Sequence, residues 1–117
     1  YVYGLQQSGT PGQEGGTRSN LAVLHALGGH EENLQLEVTY FGPDGQELGK
    51  DGSCSPCSLK PGQWRQFNAP LDGKNGFSAS QGYARIRRIS GSDQFIAYGV
   101  LNDQANNDGS YVPMTTP

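Results

Sequence analysis

A chain of 117 residues with 18 glycines, seven prolines and only 33% apolar residues has the size of one domain and the composition of a protein that turns often rather than one with long helices. A net charge of −3 offers no clustered basic excess to neutralise phosphates, which excludes nucleic acid as a partner. No run approaches the roughly 18 apolar residues that cross a bilayer, and the opening "YVYGLQQ" has neither an initiator Met nor a charged-then-apolar leader. The expectation is a trimmed end, an extracellular or cell-surface location and no membrane span.

The first predicted element is an apolar-aromatic strand in residues 1–7, followed by the glycine-rich stretch "SGTPGQEGGT" as a surface loop over 8–17. In "RSNLAVLHAL", Leu21, Val23, His25 and Leu27 alternate with Ala22, Leu24 and Ala26. That length fits a central strand or a short buried helix, and the strand is preferred because helical spacing would leave no polar face. "NLQLEVTYF" sets Leu34, Leu36, Val38 and Tyr40 on one side and Gln35, Glu37 and Thr39 on the other, the pattern of a half-buried strand. "GPDGQ" then predicts a tight reversal, with Pro43 presetting one dihedral and Gly45 accepting a positive one.

Further along, "GQWRQFN" predicts a strand that buries either Arg65 or Phe67 with Trp64, and "GYARIRRIS" one that buries Ala84 and Ile86. Ile89 has the wrong parity, and a bulge at Arg87 and Arg88 would turn it inward. "QFIAYGVLN" is apolar on both faces and reads as the central strand. "SYVPM" closes the chain, with Pro113 and Pro117 marking an edge or exit because proline cannot donate to a ladder. The sum is an all-β antiparallel sandwich of about seven to eight strands in a single domain, 1–117, with its body at 18–113 and a tail at 114–117.

"RSNLAVL", "LKPGQW", "GYARIRRISGSDQFIAYGVLND" and "SYVPM", in that order and spacing, resemble an immunoglobulin-like β-sandwich module of secreted and surface multidomain bacterial proteins. The likeness runs from Arg18 to Pro113. It implies a structural or adhesive role and transfers no catalytic residue. "GSCSPCS" departs from the pattern, standing where the module runs a plain strand.

Cys54 and Cys57 lack the four ligands of structural zinc, since only His25 and His30 are available beside them. Neither do they sit at a helix start in a βαβ unit, as a redox pair would. The reading is a disulfide across a short loop. Asp103, Asn106 and Asp108 in "NDQANNDGS" offer oxygen ligands for calcium, but without the EF-hand spacing, and Asn, Asp and Gly equally build a plain turn. No metal or cofactor is expected. Ser19, His25 and Asp103 can be named as nucleophile, base and acid, but nothing in the sequence fixes their distances, so no enzyme is expected.

Two functional classes remain. In the first, Tyr1, Val2, Tyr3, Gly4 and Leu5 form a self-association strand that adds to the sheet of its own or a neighbouring copy or module, building a fibre or surface layer. In the alternative, Trp64, Tyr83, Arg85, Arg87 and Tyr98 form a face for a carbohydrate or other surface ligand, aromatic rings stacking on sugar and guanidinium groups donating forked bonds. Against that face stands a plain surface role for the arginines, paired with Glu37 or Asp93.

Overall fold

A computed structural model describes residues 1–8, 17–25, 33–73, 75–91, 94–103 and 108–115. Among them are nine strands and no helix: β1 (Val2–Ser8), β2 (Thr17–His25), β3 (Leu34–Phe41), β4 (Glu47–Lys50), β5 (Cys57–Leu59), β6 (Trp64–Asn68), β7 (Gln81–Ser90), β8 (Phe95–Asp103) and β9 (Asp108–Pro113). All pairings are antiparallel. Sheet A runs β4-β3-β7-β1, with β5 also against β3; sheet B runs β6-β2-β8-β9. The count exceeds the predicted seven to eight because "CSL", starting at the second cysteine, adds the three-residue β5 beside β3.

In "SNLAVLH", Leu21 and Val23 face the core and Ala22 and Leu24 the opposite face, in a strand that β6 and β8 flank on its two sides. The alternation of β3 holds: Leu34, Leu36, Val38 and Tyr40 are buried in the core. The hairpin after it also forms, the Gly42 N–H donating to the Gln46 carbonyl at 2.8 Å. Between the sheets lie Leu21, Val23, Phe67 and Ala97 from sheet B against Val2, Leu5, Ala84 and Ile86 from sheet A. Phe67, not Arg65, takes the inward place on β6, and Trp64, expected to be buried with it, has the opposite parity and is exposed.

β1 belongs to both sheets. Its start pairs with β7, while Gln7 and Ser8 pair with Arg18 and Thr17 of β2. Strict alternation would send Val2 and Leu5 to opposite faces. Instead Val2 lies opposite Ala84 and Leu5 opposite Gly82, so Tyr3 and Gly4 together oppose Tyr83 in a bulge. Gly4 adopts a φ of +78° there, a conformation that costs glycine little, and both Val2 and Leu5 reach the core. Room for them comes from β8: a Cβ at Gly99 would stand 3.1 Å from Val2 Cγ1 and 3.4 Å from Leu5 Cδ2. The Gln6 N–H donates to Ser19 Oγ at 2.7 Å, and Tyr1 and Thr115 exchange two main-chain bonds. Thus residues 114–115, expected as tail, seal the sandwich beside β1. Of the predicted glycine-rich loop, residues 9–16 lie outside the described residues.

One further expectation is corrected in position and another is met. The bulge in β7 falls one residue later than predicted, since Leu36 opposes Arg88 and Gln35 opposes Ser90, leaving Ile89 as the extra residue. Ile89 is therefore 43% exposed and not turned inward, because the slip comes after Arg88 and the strand there is leaving the sandwich. The expected disulfide Cys54–Cys57 is present, and it reaches further into the fold than a clasp on a surface loop. Only Ser55 and Pro56 at the tip are exposed, while both half-cystines are buried in the core cluster and Val38 N–H donates to the Cys54 carbonyl at 3.0 Å. Loop entropy for so short a closure gives about 2 kcal/mol. The C54A/C57A double variant is expected to lose at least that much, measured as the shift of the urea midpoint against the oxidised wild type.

Candidate functional site

The outer face of sheet B is built from the residues whose parity points away from the core. Register sets them in rows across β6, β2 and β8: Trp64, Leu24 and Ile96; then Gln66, Ala22 and Tyr98; then Asn68, Asn20 and Val100. The middle strand contributes small or short side chains at Ala22 and Asn20, whereas β6 and β8 contribute Trp64 and Tyr98. A groove of about 450 Å³ results, with Trp64 and Tyr98 as walls and Ala22 and Asn20 as floor. Two strand spacings across the sheet and one two-residue step along it separate the aromatic walls, roughly 12 Å.

Trp64 is 57% exposed and Ile96 is 48% exposed, so the face offers apolar surface to solvent at a cost that a bound partner would relieve. The floor is held by hydrogen bonds. Asn20 Oδ1 accepts from the Ala69 N–H at 3.0 Å, and Gln66 Nε2 donates to Asn68 Oδ1 at 2.8 Å. None of the groove's lining residues is a carboxylate, imidazole, amine or guanidinium. The chemistry these residues offer is stacking on two ring faces and hydrogen bonding to side-chain amides.

The five residues expected to form one ligand face are divided. Trp64 and Tyr98 share the groove of sheet B, while Tyr83, Arg85 and Arg87 lie on β7 in sheet A, with the outward parity opposite Phe41, Thr39 and Glu37. On that second face Tyr83 stacks on Phe41 with ring centroids 5.0 Å apart and planes 9° apart. Tyr3 lies 5.1 Å from Tyr83, and Tyr1 5.8 Å from Tyr3. The Arg85 guanidinium sits 5.3 Å from the Phe41 ring centroid, so this arginine is engaged by an aromatic face rather than a carboxylate. Glu37, expected as an arginine partner, holds Lys50 at 3.2 Å; Asp93 lies outside the described residues. The ladder fastens β1 to β7 and β3 by cross-strand ring pairs. Sequence parity carried its signal, for Phe41 follows Gln35, Glu37 and Thr39 on the outward side.

No family model, curated protein or solved structure matches this chain.

Ser19 and His25 are both on β2, six residues apart on an extended strand and thus separated by about 20 Å. They do not meet. Ser19 Oγ is taken by Gln6, and His25, fully buried, has Nδ1 3.0 Å from the Leu59 carbonyl. Both serve packing. Asp103 and Asp108 are register partners at the β8–β9 turn, but their side chains, and Asn106 altogether, lie outside the described residues.

Proposed function

We propose that this chain is a non-catalytic extracellular module of the immunoglobulin-like sandwich class, and that it binds a neutral oligosaccharide along the outer face of sheet B. The observation that carries the reading is the groove between Trp64 and Tyr98, with an amide-bearing floor and no charged lining. A pyranose presents apolar C–H faces to an aromatic ring and hydroxyls to amides, so stacking and hydrogen bonding are satisfied together. The wall spacing suits linked sugars better than a monosaccharide. The disulfide supports an oxidising compartment, and the two antiparallel sheets agree with the module that the sequence motifs resemble.

Trp64 is the chain's single tryptophan, so its emission reports on the groove directly. Titration with a panel of soluble neutral polysaccharides is expected to give a saturable change. Trp64→Ala lowers affinity at least tenfold, and Tyr83→Ala, on the other sheet, leaves it unaltered. A panel in which no glycan perturbs Trp64, or a W64A variant that binds like wild type in calorimetry, would refute the assignment.

A second reading is self-association by exchange of β1 between copies, the route to a fibre or surface layer. It is supported by β1 lying last in sheet A, with β7 as its ladder partner over Val2–Gln6, and by its connection to the body through residues 9–16. Sedimentation velocity over a wide concentration range tests it, a ladder of oligomers being the expected result.

A further inference from the structure

On the outer face of sheet A the aromatic ladder brings together tyrosines from strands far apart in the chain. Tyr3 of β1 lies against Tyr83 of β7, with ring centroids 5.1 Å apart and planes 39° apart. We propose that Tyr3 and Tyr83 form a modification site, joined by a haem peroxidase and hydrogen peroxide into a dityrosine cross-link that fixes β1 to the sandwich. The inference rests on neither the glycan groove nor the exchange of β1.

The pair consists of one held ring and one adjustable ring. Tyr83 is half-buried and stacked on Phe41 at 5.0 Å and 9°, which fixes its plane. Tyr3 is 46% exposed, and an exposed side chain turns about its χ angles quickly. The bulge sets it there, since Tyr3 and Gly4 together oppose Tyr83. An opening of about 280 Å³ borders both tyrosines, with Pro43 and Gln81 also lining it. By contrast Tyr40, fully buried and donating its hydroxyl to Asp51, is out of an oxidant's reach. Tyr1 touches the pair as well, but at the longer distances of 5.8 Å from Tyr3 and 6.1 Å from Tyr83.

In the reaction each phenol gives up one electron and one proton. The two tyrosyl radicals couple through ring carbons ortho to their oxygens, and the hydrogens on those carbons then pass to the oxygens, restoring both phenols. One carbon–carbon bond forms and the chain loses two hydrogen atoms, whose electrons and protons reduce one hydrogen peroxide to two waters. Rings already in contact couple without a diffusional encounter, which favours this pair over tyrosines of separate molecules. The bond closes most of the chain into a loop and so restricts the unfolded state as a long-range disulfide does.

The intact chain, kept dilute, is treated with a haem peroxidase and one equivalent of hydrogen peroxide. The expected product is a monomer lighter by two hydrogen atoms, with dityrosine emission and with tryptic peptides 1–18 and 75–85 joined through Tyr3 and Tyr83. Its urea midpoint rises by about 1 M. Tyr3→Phe and Tyr83→Phe each lower the yield at least tenfold and Tyr1→Phe leaves it unchanged, the fold of each variant being verified by circular dichroism. No cross-linked monomer, a bond made by any other tyrosine, or a yield that survives Tyr83→Phe overturns the proposal.

Discussion

Tyr40→Ala is expected to remove about 3–5 kcal/mol of stability, the range for deleting a large buried aromatic side chain, and Tyr40→Phe about 1–3 kcal/mol, the cost of leaving a buried acceptor without its donor. Tyr40 is fully buried. Its ring packs 5.9 Å from Phe77 and its hydroxyl donates to Asp51 Oδ2 at 2.6 Å. Asp51 is itself buried, and its Oδ1 accepts from the Ser53 N–H at 2.9 Å and the Ser53 hydroxyl at 2.6 Å. The Asp51 main chain is tied in as well, its N–H donating to the Val38 carbonyl and its carbonyl accepting from Cys54. One phenol therefore anchors the segment that leads into the disulfide. Equilibrium urea unfolding at neutral pH measures both effects; a Tyr40→Phe midpoint equal to that of wild type would remove the hydrogen bond from the account.

The same pair sets an alkaline limit. Burial first, then the Asp51 charge and its hydrogen bond, hold the Tyr40 hydroxyl protonated well above its ordinary value of 10.0. In the unfolded chain the phenol ionises near pH 10, so above that pH the native state binds the extra proton. Stability from this group is complete below pH 10 and falls as pH rises, by up to about 1.4 kcal/mol per pH unit. Tyr40→Phe removes that component, and its stability curve from pH 10 upward is expected to be flatter than wild type's. Parallel curves would show that Tyr40 does not carry the alkaline slope.

The sandwich was legible because period-two alternation is local: β3 declares its buried and outward faces residue by residue, β8 is apolar on both, and proline marks the edge strand β9. What depends on pairing was not. Trp64 and Tyr98 belong together, and Tyr83 apart from them, because β6 and β8 flank β2 while β7 flanks β3, and no local pattern states which strands are neighbours. The bulge at Ile89 was foreseen in kind but misplaced by one residue, since parity shows that a slip must occur and only the register with Leu36 and Gln35 shows where. The Gly4 bulge was missed although its sign was present: Val2 and Leu5 are both apolar, yet an odd number of positions apart, with a glycine between them.

That bulge gives β1 its largest consequence. Deleting residues 1–8 withdraws Val2 and Leu5 from the core, each contributing about 1.5–3 kcal/mol by burial, along with the ladder to β7 and the Gln6–Ser19 bond. Against a total of about 5–15 kcal/mol for a domain, the remaining body is expected to be largely unfolded or aggregated, with the β7 edge bare. A peptide of residues 1–8 added in trans restores the folded spectrum. A neighbour's β1 would make the same contacts as the chain's own, so exchange is decided by the connection through residues 9–16, which keeps the chain's own strand at millimolar effective concentration. Removing 9–16 altogether runs Ser8 straight into Thr17, residues that are antiparallel partners, and a chain cannot reverse without a turn. Only a second copy can then fill the seat. That variant is expected to sediment as dimers or longer chains, whereas a stable monomer would show that β1 is dispensable and end the exchange reading.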